Sequence, residues 1–233
     1  MIRARIILSF VVAFWLQVVA ESKTPTPCEV NAAGFKVGEV PATLKNGDLV
    51  FHDSGTDQSI AIKVLTFSRY SHVGIYLREG DAGYVYEAHS GVQKTPIAEW
   101  SARPNNKETA HQNQCPWKAL RLSDHPQGLS DEEAASLKAF LVSKLDVKYD
   151  LKFQWNDDKL YCSELVWKAY EKALHIKVGE KQTFAEFDLT SAEGQKLASR
   201  YENGKPPLNE EIVTPEAIYK YDKLSLVPPL TER

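Results

Sequence analysis

Cys162, His72 and Glu87 are side chains of the types that together perform acyl transfer. A thiol in water has a pKa of about 8.5 and is only a few per cent ionised at neutral pH, so a cysteine becomes a strong nucleophile where positive potential lowers that value. A helix N-terminus and a neighbouring imidazolium both supply such potential. Cys162 lies where a helix should begin, directly after the polar stretch Gln154 to Lys159. His72 is of the right type to take the thiol proton, and Glu87 to hold the imidazole ring for that task. Taken singly, each has a plainer reading. A lone cysteine is more commonly a buried structural thiol. A histidine in an apolar strand is more commonly a core residue with locally satisfied nitrogens. Glu87 could face solvent, since an unpaired buried carboxylate costs several kcal/mol. His89, two residues beyond Glu87 and so on the same face of a strand, is a reserve candidate. His52 and Asp53 either line the cleft or form a turn, and the turn is favoured.

The elements that must position these groups follow from local pattern. Asn46-Gly47 is a turn signal, and Leu49-Val50-Phe51 after it is a β-rich apolar run that predicts the first core strand. Ser71 to Leu77 predicts a second strand from its β-branched and aromatic content. Gly80 to Gly83 then turns the chain, and Tyr84 to Ala88 returns as the partner of a hairpin. His72 and Glu87 would then lie on neighbouring strands within hydrogen-bonding reach. Gln58 to Arg69 fits a short helix or a strand about equally well and is read as a helix, and Lys118 to Leu122 is read as a further strand. Ser130 and Glu133 form a capping box, with Ala134, Leu137, Phe140, Leu141 and Leu145 at helical spacing behind it. A second helix starts near Tyr161 and carries Leu165, Val166, Ala169, Tyr170 and Leu174 along one side. Beyond Gly179 the chain reads as polar and irregular, with Pro206-Pro207 and Pro228-Pro229 keeping it out of regular structure.

The whole chain has 233 residues, a formal net charge of −3, 43% hydrophobic and 25% charged residues, which suits one large domain with a real core. With no basic run beyond the extreme N-terminus, nucleic acid and anionic surfaces are not expected partners. Residues 1–20 have the layout of a signal peptide: Arg3 and Arg5, then the apolar run Ile6 to Val19, then Ala20. That run of roughly 14 apolar residues falls short of the ~20 that a spanning helix needs, so no stable membrane span is expected after cleavage. The location expected is periplasmic or secreted. Residues 21–41, with Pro25, Pro27 and Pro41, read as a flexible segment, leaving 42–233 as the domain. The three cysteines leave at least one without an intramolecular partner. Cys162 is taken as the free one, and Cys28 and Cys115 could pair in an oxidising compartment. No C-x-x-C or H-E-x-x-H spacing is present, so neither metal nor cofactor is expected.

Three blocks carry a family resemblance: Gly47-Asp48-Leu49-Val50-Phe51, Ser71-His72-Val73-Gly74-Ile75-Tyr76 and Tyr161-Cys162-Ser163-Glu164-Leu165-Val166. They resemble the NlpC/P60 superfamily of papain-like hydrolases. Here the cysteine block comes last, as in the permuted branch of YiiX-like papain-like amidases, a branch that also holds lecithin-retinol-acyltransferase-like enzymes. The resemblance implies an α+β, circularly permuted papain-like fold, an antiparallel sheet or partial barrel packed against helices. It places the nucleophile on Cys162, the base on His72 and the polar third residue on Glu87. Tyr149, Tyr161 and Ser163 are implied at the oxyanion and substrate side. Lys148-Tyr149-Asp150 looks like the family's Gly-x-x-Tyr-Asp block, with Asp146 where the glycine is expected, and Val213-Thr214-Pro215 like its closing segment. Residues 102–116 match nothing in the family. The implied function is that of an exported cysteine hydrolase cleaving amide bonds, in cell-wall peptides (peptidoglycan), through an acyl-enzyme. The rivals are lipid ester or acyl-transfer activity, which a long apolar stripe near the cleft would favour, and a binding module that has lost catalysis.

Overall fold

Alternation of apolar side chains is what organises this chain, and it does so on both faces of one sheet. The structure, a computed structural model, describes residues 34–53, 57–68, 70–103 and 117–228. The expected signal peptide, most of the 21–41 segment, Cys28, Cys115 and most of the 102–116 insert lie outside the described residues.

Along the chain run β1 (Asp48–His52), α1 (Asp57–Thr66), β2 (His72–Glu79), β3 (Ala82–Ala88), β4 (Val92–Pro96), α2 (Ile97–Ser101), β5 (Lys118–Leu122) and α3 (Asp131–Ser143). There follow β6 (Lys148–Tyr149), β7 (Lys159–Leu160), α4 (Cys162–Leu174), β8 (Gln182–Thr183), α5 (Ala192–Ala198), β9 (Glu211–Ile212), α6 (Pro215–Tyr219) and β10 (Leu224–Leu226). Six strands form one sheet in the order β10-β5-β1-β2-β3-β4, antiparallel throughout. Odd-numbered residues of β1 and β2, among them Leu49, Phe51, Ile75 and Leu77, join the main core with Leu137 and Leu141 of α3 and Leu165, Ala169 and Tyr170 of α4. Even-numbered Val50 and Tyr76 join a second apolar layer with Phe35, Trp100 and Trp117. Because successive strand side chains point to opposite faces, β1 reads as a continuous buried run.

The helices that matter are set by their ends. The α3 capping box is present, with Ser130 Oγ accepting from the Glu133 N–H at 3.3 Å and Glu133 Oε2 accepting from the Ser130 N–H at 2.9 Å. Its helix stops at Ser143, two residues before the expected Leu145. α4 is buried from Cys162 through Tyr170 and ends at His175 in the left-handed region, φ 57°. Asp146, standing where a glycine was expected, has φ 65°, a conformation that Asp tolerates better than most residues.

Three expectations need correction. The segment 21–41 is not loose over its last residues: Phe35 is fully buried, exchanges backbone hydrogen bonds with Trp117 at 2.8 and 3.1 Å, and packs its ring 4.6 Å from that indole. An aromatic is needed there to close the second apolar layer. The chain beyond Gly179 is not irregular. Ser191 and Thr214 cap α5 and α6, Pro215 sits in the first turn where its missing N–H costs nothing, and β10 completes the sheet edge beside β5. Lastly, His52 forms no turn; it is the last residue of β1, paired in register with His72. Among the described residues no helix is long and apolar enough to cross a membrane.

Candidate active site

The site lies where β1, β2 and β3 end beside the start of α4. In the β2–β3 register Ile75 pairs with Tyr86, so Gly74 stands next to Glu87, and His72 is the next residue on the same face. Gly74 makes this approach possible: a Cβ there would lie 2.4 Å from Val85 Cγ1 and 3.4 Å from Glu87 Cβ. Across it, His72 Nε2 meets Glu87 Oε2 at 2.6 Å. The other ring nitrogen, Nδ1, is left for Cys162, whose sulfur is hydrogen-bonded to the His72 side chain.

Cys162 is the first residue of α4 and is buried. Burial pushes its thiol up, but the hydrogen bond and charge of His72, with the backbone N–H groups of Val73 and Ser163, bring it below the ordinary thiol value. Burial alone would depress His72. Its hydrogen bonds to Cys162 and Glu87, and their negative charges, outweigh that and raise it to about 9. Both shifts favour a thiolate beside an imidazolium.

Glu87 is fully buried and accepts from five residues: His72, Gln93 at 3.3 Å, Thr95 at 2.7 Å, the Trp100 indole at 3.0 Å and the Arg103 guanidinium at 2.9 and 2.7 Å. Burial would raise its pKa, yet the His72 hydrogen bond and the charges of His72 and Arg103 hold it far below the usual carboxylate range. Gln93, Thr95, Trp100 and Arg103 were not singled out in the sequence. The period-two spacing of Gln93 and Thr95 on β4 was a signal that they share a face, but nothing local named Glu87 as their target.

The remaining candidates divide. His52 is buried, with its ring 4.9 Å from that of His72 and 4.6 Å, edge-on, from Trp100. Burial and the His72 charge push it down to about 3, so it is neutral, and its Nε2 has no hydrogen-bond partner. The His89 ring lies 5.8 Å from His72; desolvation and the His72 charge keep it below its ordinary value. Tyr149 lines a cleft of about 1000 Å³, including its open mouth, together with Ser71, His72, His89, Ser90 and Lys148 and the apolar Ile62, Ala88 and Leu151. The Tyr161 hydroxyl accepts from Val213 N–H at 3.1 Å and Ser163 Oγ donates to the Val213 carbonyl at 2.9 Å, so both hydroxyls are committed to Val213. A second pocket lined in part by α1, about 530 Å³ only when the open solvent at its mouth is included, has Cys162 in its wall and is otherwise largely apolar. Its wall comes from α1, Phe153, residues 161–163, residues 184–187, residues 197–200 and residues 212–215, which explains why no continuous apolar stripe is visible in the sequence.

Ligand-type atoms of His52, His72 and Glu87 lie within 4.8 Å of one another. Both Glu87 oxygens, however, are engaged by donors that include a guanidinium, and His72 Nε2 is bonded to Glu87. His52 Nε2 alone is uncommitted in the group.

The YiiX protein of Escherichia coli K12 is 38% identical over 185 residues, 78% of this chain and 85% of that protein. The crystal structure of YiiX from Escherichia coli O157:H7, described there as a metalloprotein, matches with a TM-score of 0.70 and 36% identity over 82% of this chain and 99% of that one. Residues 43–228 match the model of the permuted papain-like amidase enzymes YaeF/YiiX, the C92 family, and the chain belongs to that family of cysteine peptidases and amidases.

Proposed function

We propose that this protein hydrolyses amide bonds as an exported enzyme, through a triad of Cys162, His72 and Glu87. The single observation that carries the reading is the His72 ring held between Glu87 Oε2, at 2.6 Å, and the sulfur of Cys162. In the resting pair the thiolate attacks the carbonyl carbon. The Cys162 N–H, in the first turn of α4 where backbone donors lack helical acceptors, and the Tyr149 hydroxyl are the donors proposed for the oxyanion. His72 gives its Nδ1 proton to the departing amine nitrogen as the C–N bond breaks, leaving a thioester on Cys162. Water, deprotonated by the now neutral His72, attacks the thioester; the acid leaves and the thiolate–imidazolium pair returns. Glu87 keeps the ring aligned and balances its charge throughout.

The solved relative's description as a metalloprotein raises the question of a cation here. The residues present do not fit one: a cation at Glu87 would sit against Arg103 and displace the donors that already saturate the carboxylate.

The signal-like residues 1–20 support export, and in that setting cell-wall peptides are amide substrates at hand. Purified mature chain incubated with peptidoglycan should release fragments identifiable by mass spectrometry, and Cys162→Ala should release none. A peptidoglycan digest unchanged by the wild-type chain would reject that substrate. Acyl chemistry on lipids, the second reading, is favoured by the apolar pocket with Cys162 in its wall.

A further inference from the structure

Glu164 is fully buried in the first turn of α4, two residues after the nucleophile, and the mechanism above makes no use of it. We propose that Glu164 is a positioning residue for acyl transfer: through Lys168 it fastens the loop between Tyr149 and Cys162 to the helix that carries the nucleophile, and so holds the two oxyanion donors at their working separation. The role rests on the amidase reading above and deepens it, adding a group that touches neither the substrate nor the reacting atoms.

A buried carboxylate is costly unless it is paired, and apolar side chains often fill such space as well as an ion pair does. What the Glu164 pair adds is connection. Its Oε2 accepts from the Tyr161 N–H at 3.4 Å, which fixes the backbone immediately before Cys162. Its Oε1 faces Lys168 Nζ, one turn further along α4, at 2.9 Å. The same ammonium donates to the Asn156 carbonyl and to Asp157 Oδ1, the latter at 2.8 Å, and lies 4.9 Å from the centre of the Trp155 ring. Trp155, Asn156 and Asp157 are thereby tied to α4 through one largely buried cation. The loop they belong to leaves β6 after Tyr149 and returns at β7, where Lys148 pairs with Lys159 and Tyr149 with Leu160. Its first half is shaped by the buried Asp150, which accepts from the Lys152 and Gln154 N–H groups at 2.8 and 2.6 Å. Its second half is held by Lys168. The Tyr149 hydroxyl and the Cys162 N–H, the donors proposed for the oxyanion, thus stand at opposite ends of the one segment that this pair clamps.

The clamp depends on charge. Burial raises the Glu164 carboxyl to about 7; the Asp150 charge adds to that, while Lys168 and the Tyr161 N–H oppose it. Of the other groups around it, Tyr161 stays neutral because burial pushes its hydroxyl far up, and Asp157 is held below its ordinary value by Lys168. Above about 7 the carboxylate draws Lys168, and the loop with it, against α4. Below that value Glu164 takes up a proton, and the ammonium is left with the Asn156 carbonyl and Asp157 at the protein surface.

The test compares two reactions of Cys162 in the mature full chain. Acylation by p-nitrophenyl acetate, read as the burst of p-nitrophenolate, forms a bond from sulfur to the acetyl carbon through an oxyanion. Alkylation by iodoacetamide needs only the thiolate, so the ratio of the two rates cancels the titration of Cys162 itself. A misplacement of about 1 Å costs on the order of 10²-fold, so the wild-type ratio should fall ~10- to 100-fold as the pH drops through about 7. In Glu164→Gln the ratio should lie at that low level at every pH, with alkylation unchanged. Where Glu164→Gln does not fold, Glu164→Gln with Lys168→Met leaves no unpaired buried charge and carries the same comparison. A ratio independent of pH in the wild type, or equal in wild type and variant with only the melting temperature lowered, overturns the proposal and makes the pair purely structural. A ratio that still falls near 7 in the variant assigns the effect to another group and overturns it as well. Peptidoglycan gives the separate check on the amidase reading. No Cys162-dependent release, with the ratio behaving as expected, sinks that reading and keeps the positioning role; release with a flat ratio does the reverse.

Discussion

His72 Nε2 and Glu87 Oε2 are 2.6 Å apart across Gly74, and the same carboxylate is bonded to the Arg103 guanidinium. The imidazole is therefore oriented by an anion that is itself fixed by a permanent cation. Glu87→Gln keeps the shape and removes the charge. Turnover should fall by about 10²–10⁴-fold. The protonated His72 ring loses its counter-charge, so its pKa drops from about 9 and the alkaline limb of the pH–rate profile moves to lower pH. Arg103 loses its buried partner as well, and denaturant unfolding should show a loss of up to about 3–5 kcal/mol. An unchanged alkaline limb would show that Glu87 does not govern the ring.

The rate of Cys162 alkylation against pH reads the thiolate directly. Because His72 and the Val73 and Ser163 N–H groups lower the thiol pKa, iodoacetamide should react with an inflection well below the ~8.5 of a free thiol. Turnover should behave differently at the alkaline end. Above about 9 His72 loses the proton that the leaving amine needs, so hydrolysis declines while alkylation persists. Parallel decline of both would mean that the imidazolium is not the proton donor.

His52 tests acid stability. Its buried ring stays neutral down to about 3, whereas in the unfolded chain it protonates near 6.5. Between those values the unfolded state binds a proton that the folded state refuses, so stability falls as the pH falls through this window. His52→Phe removes that contribution and gives up no bond at Nε2, which has no partner. The melting temperature of the variant, relative to wild type, should rise steadily from pH 6.5 to 4 by circular dichroism. A difference independent of pH would mean that His52 is not held neutral.

Metal removal gives the clearest check on the donor set. Dialysis against a chelator should leave hydrolysis unchanged, since the Glu87 oxygens are committed to protein donors. Added Zn²⁺ should inhibit instead, by capturing the Cys162 thiolate and the His72 nitrogen opposite it. Loss of activity on chelation, restored by metal, would contradict the saturation argument.

What the sequence made legible was what short-range pattern encodes. The β-branched and aromatic content of Ser71–Leu77 and the glycine turn after it were enough to foresee the hairpin in which His72 meets Glu87, and Tyr161-Cys162 at the head of an apolar period was enough to foresee the helix start. His52 was misread because Asp53 follows it and the apolar run stops there, a pattern that a turn and a strand end share. The shell of Glu87 was invisible for another reason: Trp100 lies in a five-residue helix with no signature and Arg103 just beyond it, and their target lies on another element. The apolar pocket was hidden because six separate segments supply its walls.

The order of the elements along the chain bears on when the thiol becomes reactive. In a nascent chain the β2–β3 hairpin can form from neighbours only 15 positions apart, and it sets His72 against Glu87 early. Cys162 is made much later and must find that hairpin across most of the domain. Until it does, it has neither the imidazolium nor the Val73 N–H beside it, and it remains an ordinary, largely protonated thiol. On the proposed mechanism, reactivity appears only with completed long-range folding, which spares the Cys162 sulfur of an immature chain both oxidation and adventitious acylation.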